Sequence, residues 1–483
     1  MAGIDYRYRN NGTFQADQVE AKKPAMAASM TLQWWFRLLA VLFIAEFIVP
    51  FILWQAGLPR SLDGFKELAA GLVVAVLFAY MMLRDRIPAA FLFILAVTLI
   101  WGLVSLLDGQ GITATFWGWW RLLKYPLVGV FAFLVPRWPP DSGRRLVKFL
   151  VLLLAFEVGV QALQFATGQP PGDSLAGTFG WKGVAQHTML VFFVVSIGFG
   201  HWMATGEWKL LGFVLVLGLV GTMLSVTKFY LVGAAILGIV ALVIHLVRGG
   251  KFRHLLVYIL LAAVAAASFV PIYNNFIATT RGLKPLQEYL TVESINDYLF
   301  KGDETTESGV VKMGRGMAIV YAWQQIQRDY TTVFFGYGIG GRTSSTALGV
   351  SGSALQDDPT AGSGGSGLSI WIQEYGVVGT ALFLLLNTWI MWKLFRHARA
   401  TSDPYQATLA YGMMLFTLLW PLWLWYKRPW AAGGMMMMYW ITLGYLFQQI
   451  YGPRLRLRAR RRGISREPVP VGRQIDNGWD PGQ

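Results

Sequence analysis

Residues 184–204 read Val184-Ala-Gln-His-Thr-Met-Leu-Val-Phe-Phe-Val-Val-Ser-Ile-Gly-Phe-Gly-His-Trp-Met-Ala204, a stretch without a single lysine, arginine, aspartate or glutamate. About twenty such residues coiled as a helix cross about 30 Å of hydrocarbon while pairing their own backbone donors and acceptors. Working outward from this window, comparable ones recur at 34–54, 65–83, 88–107, 117–135, 146–166, 208–225, 229–247, 255–272, 368–392, 405–426 and 432–451. The pattern predicts an all-α, polytopic integral membrane protein of about 12 transmembrane helices. Composition points the same way: 55% of the 483 residues are hydrophobic and 14% charged, against about 25% charged in a soluble chain.

The first apolar window is too long for a secretory leader and lacks a small-residue cleavage site, so no cleavable signal peptide is expected. There is no cysteine, which excludes disulfides, thiol catalysis and cysteine-held metals. Lysine and arginine outnumber the acids 41 to 26, and their placement is asymmetric. Alternate connectors carry Arg84 and Arg86; Arg137, Arg144 and Arg145; Lys209; Arg248, Lys251 and Arg253; Lys393, Arg396 and Arg399; and the tail Arg454 to Arg466. The positive-inside rule then puts both termini in the cytoplasm, with the opposite connectors outside. The arginine-rich tail reads as a topology anchor against anionic lipid rather than a nucleic-acid site.

Four regions follow: a disordered cytoplasmic lead over 1–33, a membrane domain over 34–452, a large loop over 273–367 inside it, and a basic cytoplasmic tail over 453–483. That loop, about 95 residues long, far exceeds an ordinary connector and is expected to be a functional element on the outer face. Within it, Met313 to Arg328 has Ile319, Ala322, Trp323 and Ile326 at helical spacing, which predicts a short amphipathic helix. The run Phe334-Phe-Gly-Tyr-Gly-Ile-Gly-Gly-Arg342 comes next, then the Gly/Ser-rich stretch 344–367.

Three constellations carry candidate chemistry. Arg121, Lys124, Lys228, Arg315, Arg342 and the Lys427/Arg428 pair gather at outer helix ends or in the loop. Cations so close to hydrocarbon need a polar cavity, an anionic partner or lipid headgroups. Gly336, Gly338 and Gly340 allow a sharp turn and close backbone approach to a sugar or phosphate, or else form a flexible surface loop. Glu374, Asp357 with Asp358, and His187 are the groups available as a general base; for Glu374, a favourable place in the first turn of a helix is the simpler reading. Glu46 and Glu157 fall inside spans and are expected to pair with polar neighbours. Tryptophans at 117, 119, 120, 423 and 425 suit interfacial belts or stacking on sugar rings, and Met435 to Met438 suits packing. No His/Asp/Glu spacing suggests a metal, and there is no nucleotide-binding phosphate loop.

The order of these motifs resembles the O-antigen ligase/polymerase family. Arg315, the helix with Trp323, Phe335-Gly-Tyr-Gly-Ile-Gly, a polar gap, and Leu368 leading to Gln373-Glu-Tyr-Gly-Val-Val-Gly379 carry the likeness. Thr222-Met-Leu-Ser-Val-Thr-Lys228 and Gly177-Thr-Phe-Gly180 are similar to two further family segments. The resemblance implies a membrane glycosyltransferase of the C-type kind that moves glycan from a polyprenyl diphosphate carrier on the periplasmic side, with no cofactor. Its two pyrophosphate-binding arginines would correspond to Lys228 and Arg315. Its ligase branch has a loop histidine just ahead of the tenth span, where this chain has Gly364-Gly-Ser-Gly367. The resemblance therefore implies a polymerase of O-antigen or exopolysaccharide repeat units, partnered by the lipid-linked oligosaccharide, a flippase and chain-length or export proteins. A ligase acting on lipid A core or protein, and a lipid-linked oligosaccharide flippase, are the alternatives.

Overall fold

A computed structural model describes residues 34–461, apart from 59–63, 84–88, 136–137, 171, 173, 181–182, 226, 228, 248–266, 280–283, 301–303, 306–310, 346–348 and 358–365. The N-terminal lead, the last residues of the tail, Lys228 and Asp358 thus lie outside the described residues, as does most of the expected span 255–272.

The described chain is nearly all helical. The helices are α1 (Trp34–Gln55), α2 (Phe65–Leu83), α3 (Ala89–Leu107), α4 (Ile112–Leu134), α5 (Ser142–Ala166), α6 (Val184–Thr205), α7 (Lys209–Leu224) and α8 (Phe229–Val247), followed by α9 (Val292–Phe300), α10 (Arg315–Ile326), α11 (Tyr330–Phe335), α12 (Gly367–Ala400), α13 (Pro404–Leu418), α14 (Trp420–Tyr426) and α15 (Gly433–Arg461). Five are long and apolar enough to cross a membrane: α1, α2, α5, α6 and α12. They become six if α13 and α14, bent by 43° at their junction, form one broken span. Pro421 in the first turn of α14 has no N–H to continue the ladder across that junction. An all-α chain is expected from the apolar windows, yet two small antiparallel ladders occur. Glu304–Thr305 pairs with Val311–Lys312, and Ser344–Ser345 with Val350–Ser351, both in the loop, where glycine and serine replace the apolar repeat.

Helix α6 is the hub. It is buried almost along its whole length, and its main neighbour is α13. Two glycines let these helices touch, since a Cβ on Gly200 would lie 2.3 Å from the Thr408 carbonyl oxygen. Helices α4 and α15 cross the same way, a Cβ on Gly444 falling 2.2 Å from the Gly129 oxygen. Lipid tails are as apolar as leucine, so helices in a bilayer gain stability from such close backbone packing. Met435 to Met438 are all buried in this core.

Two buried acids are held by neighbouring elements. Glu46 accepts from the Tyr125 hydroxyl at 2.8 Å. Glu157 accepts from the Thr178 backbone N–H at 2.7 Å and also from its hydroxyl, which pins the Gly177–Phe179 turn onto α5. Both acids thus have the polar neighbours expected of them.

Candidate functional site

The glycine run after α11 determines where the loop meets the bundle. Asp329 starts α11 by accepting from the Thr332 backbone N–H at 2.8 Å, and this hydrogen bond holds its carboxyl below the ordinary aspartate range. The chain then turns at Gly336, Gly338 and Gly340, whose φ values of 70°, 81° and 91° favour glycine. All three are buried and press backbone on backbone. A Cβ on Gly336 would lie 2.5 Å from the Gln373 oxygen, on Gly338 2.4 Å from the Ser105 Cα, and on Gly340 2.3 Å from the Ala114 oxygen. The close approach for which glycine is required is therefore made to α12, α3 and α4 rather than to solvent.

Hydrogen bonds lock the docking. The Trp101 indole donates to the Phe335 carbonyl at 3.0 Å, the Ser105 hydroxyl to that of Ile339 at 2.7 Å, and the Tyr337 N–H to that of Gln373 at 2.7 Å. Further along, the Ser353 N–H donates to Gln110 at 2.9 Å. On the α12 side Gly376, at φ 60°, breaks the helical backbone where Phe334 and Gly336 pass.

Glu374 is the acid at this junction. It is buried in the second turn of α12, not in the first turn where the dipole would favour it, and its Oε1 accepts from the Arg342 backbone N–H at 3.1 Å and the Thr343 hydroxyl at 3.0 Å. The Arg342 side chain, also buried, donates to the Ala354 carbonyl and lies over the Tyr337 ring. Arg121 of α4 and Arg428, in the turn between α14 and α15, both act electrostatically on Glu374. Burial, with repulsion from Arg121 next, pushes the Arg428 guanidinium down to about 10, while Glu374 opposes the shift. Arg315, the first residue of α10, stacks its guanidinium 4.4 Å from the centre of the Tyr426 ring, two residues before Arg428. Burial pushes Arg315 down as well, and Tyr426 counters it.

The structure therefore brings Arg121, Arg315, Arg342, Arg428 and Glu374 to one loop-covered end of the bundle. From the sequence Arg428 stands out only together with Lys427, as a cation at an outer helix end. It belongs to no motif, and only the packing of its turn against the start of α12 brings it in, the Lys427 carbonyl lying 2.3 Å from where a Cβ on Gly367 would be.

Other candidates sit elsewhere. Lys124 forms an ion pair with Glu67 of α2 at 2.7 Å, and Glu67 also accepts from the Trp120 indole at 2.6 Å. Arg121, one turn earlier on the same helix face, instead acts on Glu374 and Arg428, so the two cations serve different neighbours. Trp119 donates to Thr98 at 3.0 Å, which likewise commits it to helix packing. His187 is fully enclosed near Phe179 and Gly221, with no hydrogen-bond partner at either ring nitrogen. Asp357 ends the single turn Ser353–Asp357. Among the described residues no group of three or more histidines or acids could hold a metal.

No family model matches the chain, and no curated protein matches it either.

Proposed function

We propose that this protein polymerises polyprenyl-diphosphate-linked oligosaccharide repeat units into O-antigen or exopolysaccharide on the outer face of a bacterial inner membrane. The twelve-span arrangement with an outward loop, expected from the apolar windows and the basic connectors, belongs to this proposal.

The observation that carries the reading is the concentration of arginines around a single acid under the docked loop. Arg121 and Arg428 repel one another, and burial disfavours the charge on Arg428 and Arg315. A diphosphate relieves both costs at once, because charge-assisted bonds to a guanidinium are strong where water is scarce. The donor diphosphate would lie against Arg428, Arg121 and Arg315, with Lys228 as a further contact by motif position.

In the reaction, an acceptor hydroxyl oxygen bonds to the anomeric carbon of the donor sugar. The bond from that carbon to the phosphate oxygen breaks, and the diphosphate leaves with the electron pair. The arginines stabilise the negative charge that develops there. The hydroxyl proton needs a base, and we assign Glu374. Among the described residues the hydrogen bonds to Glu374 land on Oε1, which leaves Oε2 as the oxygen to accept a proton. Arg342 and Thr343 then act as positioning residues that fix the carboxylate through the loop.

The test is a mass spectrum of the lipid-linked glycans that accumulate in cells lacking the gene. Single repeat units indicate a lost polymerase. Finished long chains on the carrier indicate a lost ligase, and an unchanged profile overturns the proposal.

A further inference from the structure

The loop helix α10 is apolar on two faces. Ala318, Ala322 and Ile326, spaced by four residues, are buried against the bundle, chiefly against α12. This corrects the stripe expected from sequence, because it turns Trp323 outward. Met317, Val320 and Trp323, spaced by three, form a second stripe that is exposed, Val320 by 44% and Trp323 by 41%. Residues at such spacing share a helix face. Phe334 at the end of α11 is 49% exposed beside them in sequence. After Trp323 the surface becomes polar at Gln324, Gln327, Arg328 and Asp329.

Depth along the bundle decides what covers this surface. Phe335 is held by Trp101, six residues short of the Leu107 end of α3, hence about 9 Å below that end at 1.5 Å per residue. At and beyond that level the neighbouring helices still present bare apolar side chains, Leu107 exposed by 87% and Ile112 by 77%. Phe334 therefore lies level with exposed apolar side chains of α3 and α4, and the α10 stripe precedes it in the same loop.

We propose that α10 and α11 are immersed in the lipid leaflet on the loop side, with Met317, Val320, Trp323 and Phe334 among acyl chains and Gln327 to Asp329 at the headgroups. Apolar side chains in the acyl region with charges at the boundary are what an interfacial helix requires. The loop is then an anchored cover rather than a free aqueous domain.

The absence of native cysteine allows a direct test. Val320→Cys, Trp323→Cys, Phe334→Cys and, as reference, Gln327→Cys are each spin-labelled in the full chain. After reconstitution in phosphatidylethanolamine/phosphatidylglycerol vesicles, collision rates with oxygen and with a water-soluble nickel chelate are compared. The proposal expects an oxygen-to-nickel ratio several-fold higher at 320, 323 and 334 than at 327. Nickel access equal to that at 327 means the face is in water and overturns the proposal. Low access to both reagents means a protein covers it, and that also overturns the proposal. Each labelled variant is first shown to keep the wild-type melting temperature, and agreement among three positions guards against one that perturbs the fold.

Discussion

Replacing Gly340 by alanine tests the docking of the loop at its tightest point. The residue sits at φ 91°, and the new Cβ would fall 2.3 Å from the Ala114 carbonyl oxygen and 2.9 Å from its carbon, both backbone atoms of α4. A helix backbone cannot swing away as a side chain can, so the loop must lift. The left-handed backbone conformation costs about 1 kcal/mol for an L-residue, and overpacking adds about 1–3 kcal/mol. The expected loss is therefore about 3 kcal/mol of docking free energy, enough to open the loop about a hundred times more often. Gly349→Ala is the control, since its φ of 61° carries the conformational cost but nothing lies within 4 Å of the added carbon. Limited proteolysis of the purified protein in detergent reads the difference as cleavage rate between residues 329 and 366. Gly340→Ala should be cut far faster than Gly349→Ala. Equal rates for the two variants would refute the buried docking of the glycine run.

Other consequences are equally concrete. Glu374→Gln keeps an oxygen for the Arg342 and Thr343 donors but cannot take a proton, so turnover should fall by about 100-fold or more, with a lower melting temperature because the charge facing Arg121 and Arg428 is lost; retained turnover would make Glu374 purely structural. Lys124→Ala leaves Glu67 with only the Trp120 indole and the weaker pull of Lys66, and should cost about 1–3 kcal/mol in a thermal melt. Asp329→Ala removes the cap of α11 and should cost about 1 kcal/mol in the same proteolysis assay. Because the native carboxyl titrates below its ordinary value, the cap's contribution is present above the ordinary aspartate range. It is lost as pH falls through the depressed native value, so wild type should approach the Ala variant only under acid conditions.

Much of the helical framework was legible because lipid imposes length and apolarity on each segment. Among the described residues, most of the apolar windows end where the helices do to within a few residues, except where end chemistry extends them. Helix α4 begins at Ile112 behind an extended Gly111, ahead of the tryptophans that mark the window at 117. Helix α12 continues past residue 392 through Lys393 to Ala400, as a polar extension that hydropathy does not see. Local turn chemistry was legible too, since Gly336, Gly338 and Gly340 read as sharp turns. Which backbones those glycines approach was not, because Ala114 and Gly340 are joined only by tertiary packing. Arg428 and Glu374 meet for the same reason, and the divergence of Lys124 towards Glu67 depends on where α2 lies.

The most direct test of the account is elongation by the purified protein in lipid vesicles, supplied only with the single lipid-linked repeat units isolated from cells lacking the gene. The wild type should build longer glycans on the carrier and release polyprenyl diphosphate. Arg428→Ala, folded as judged by an unchanged melt, should do so at least about ten times more slowly, the effect of losing about 1.4 kcal/mol at the diphosphate. An Arg428→Ala variant that elongates at the full rate would contradict the arginine site, and a wild type that leaves single units untouched would contradict the polymerase itself.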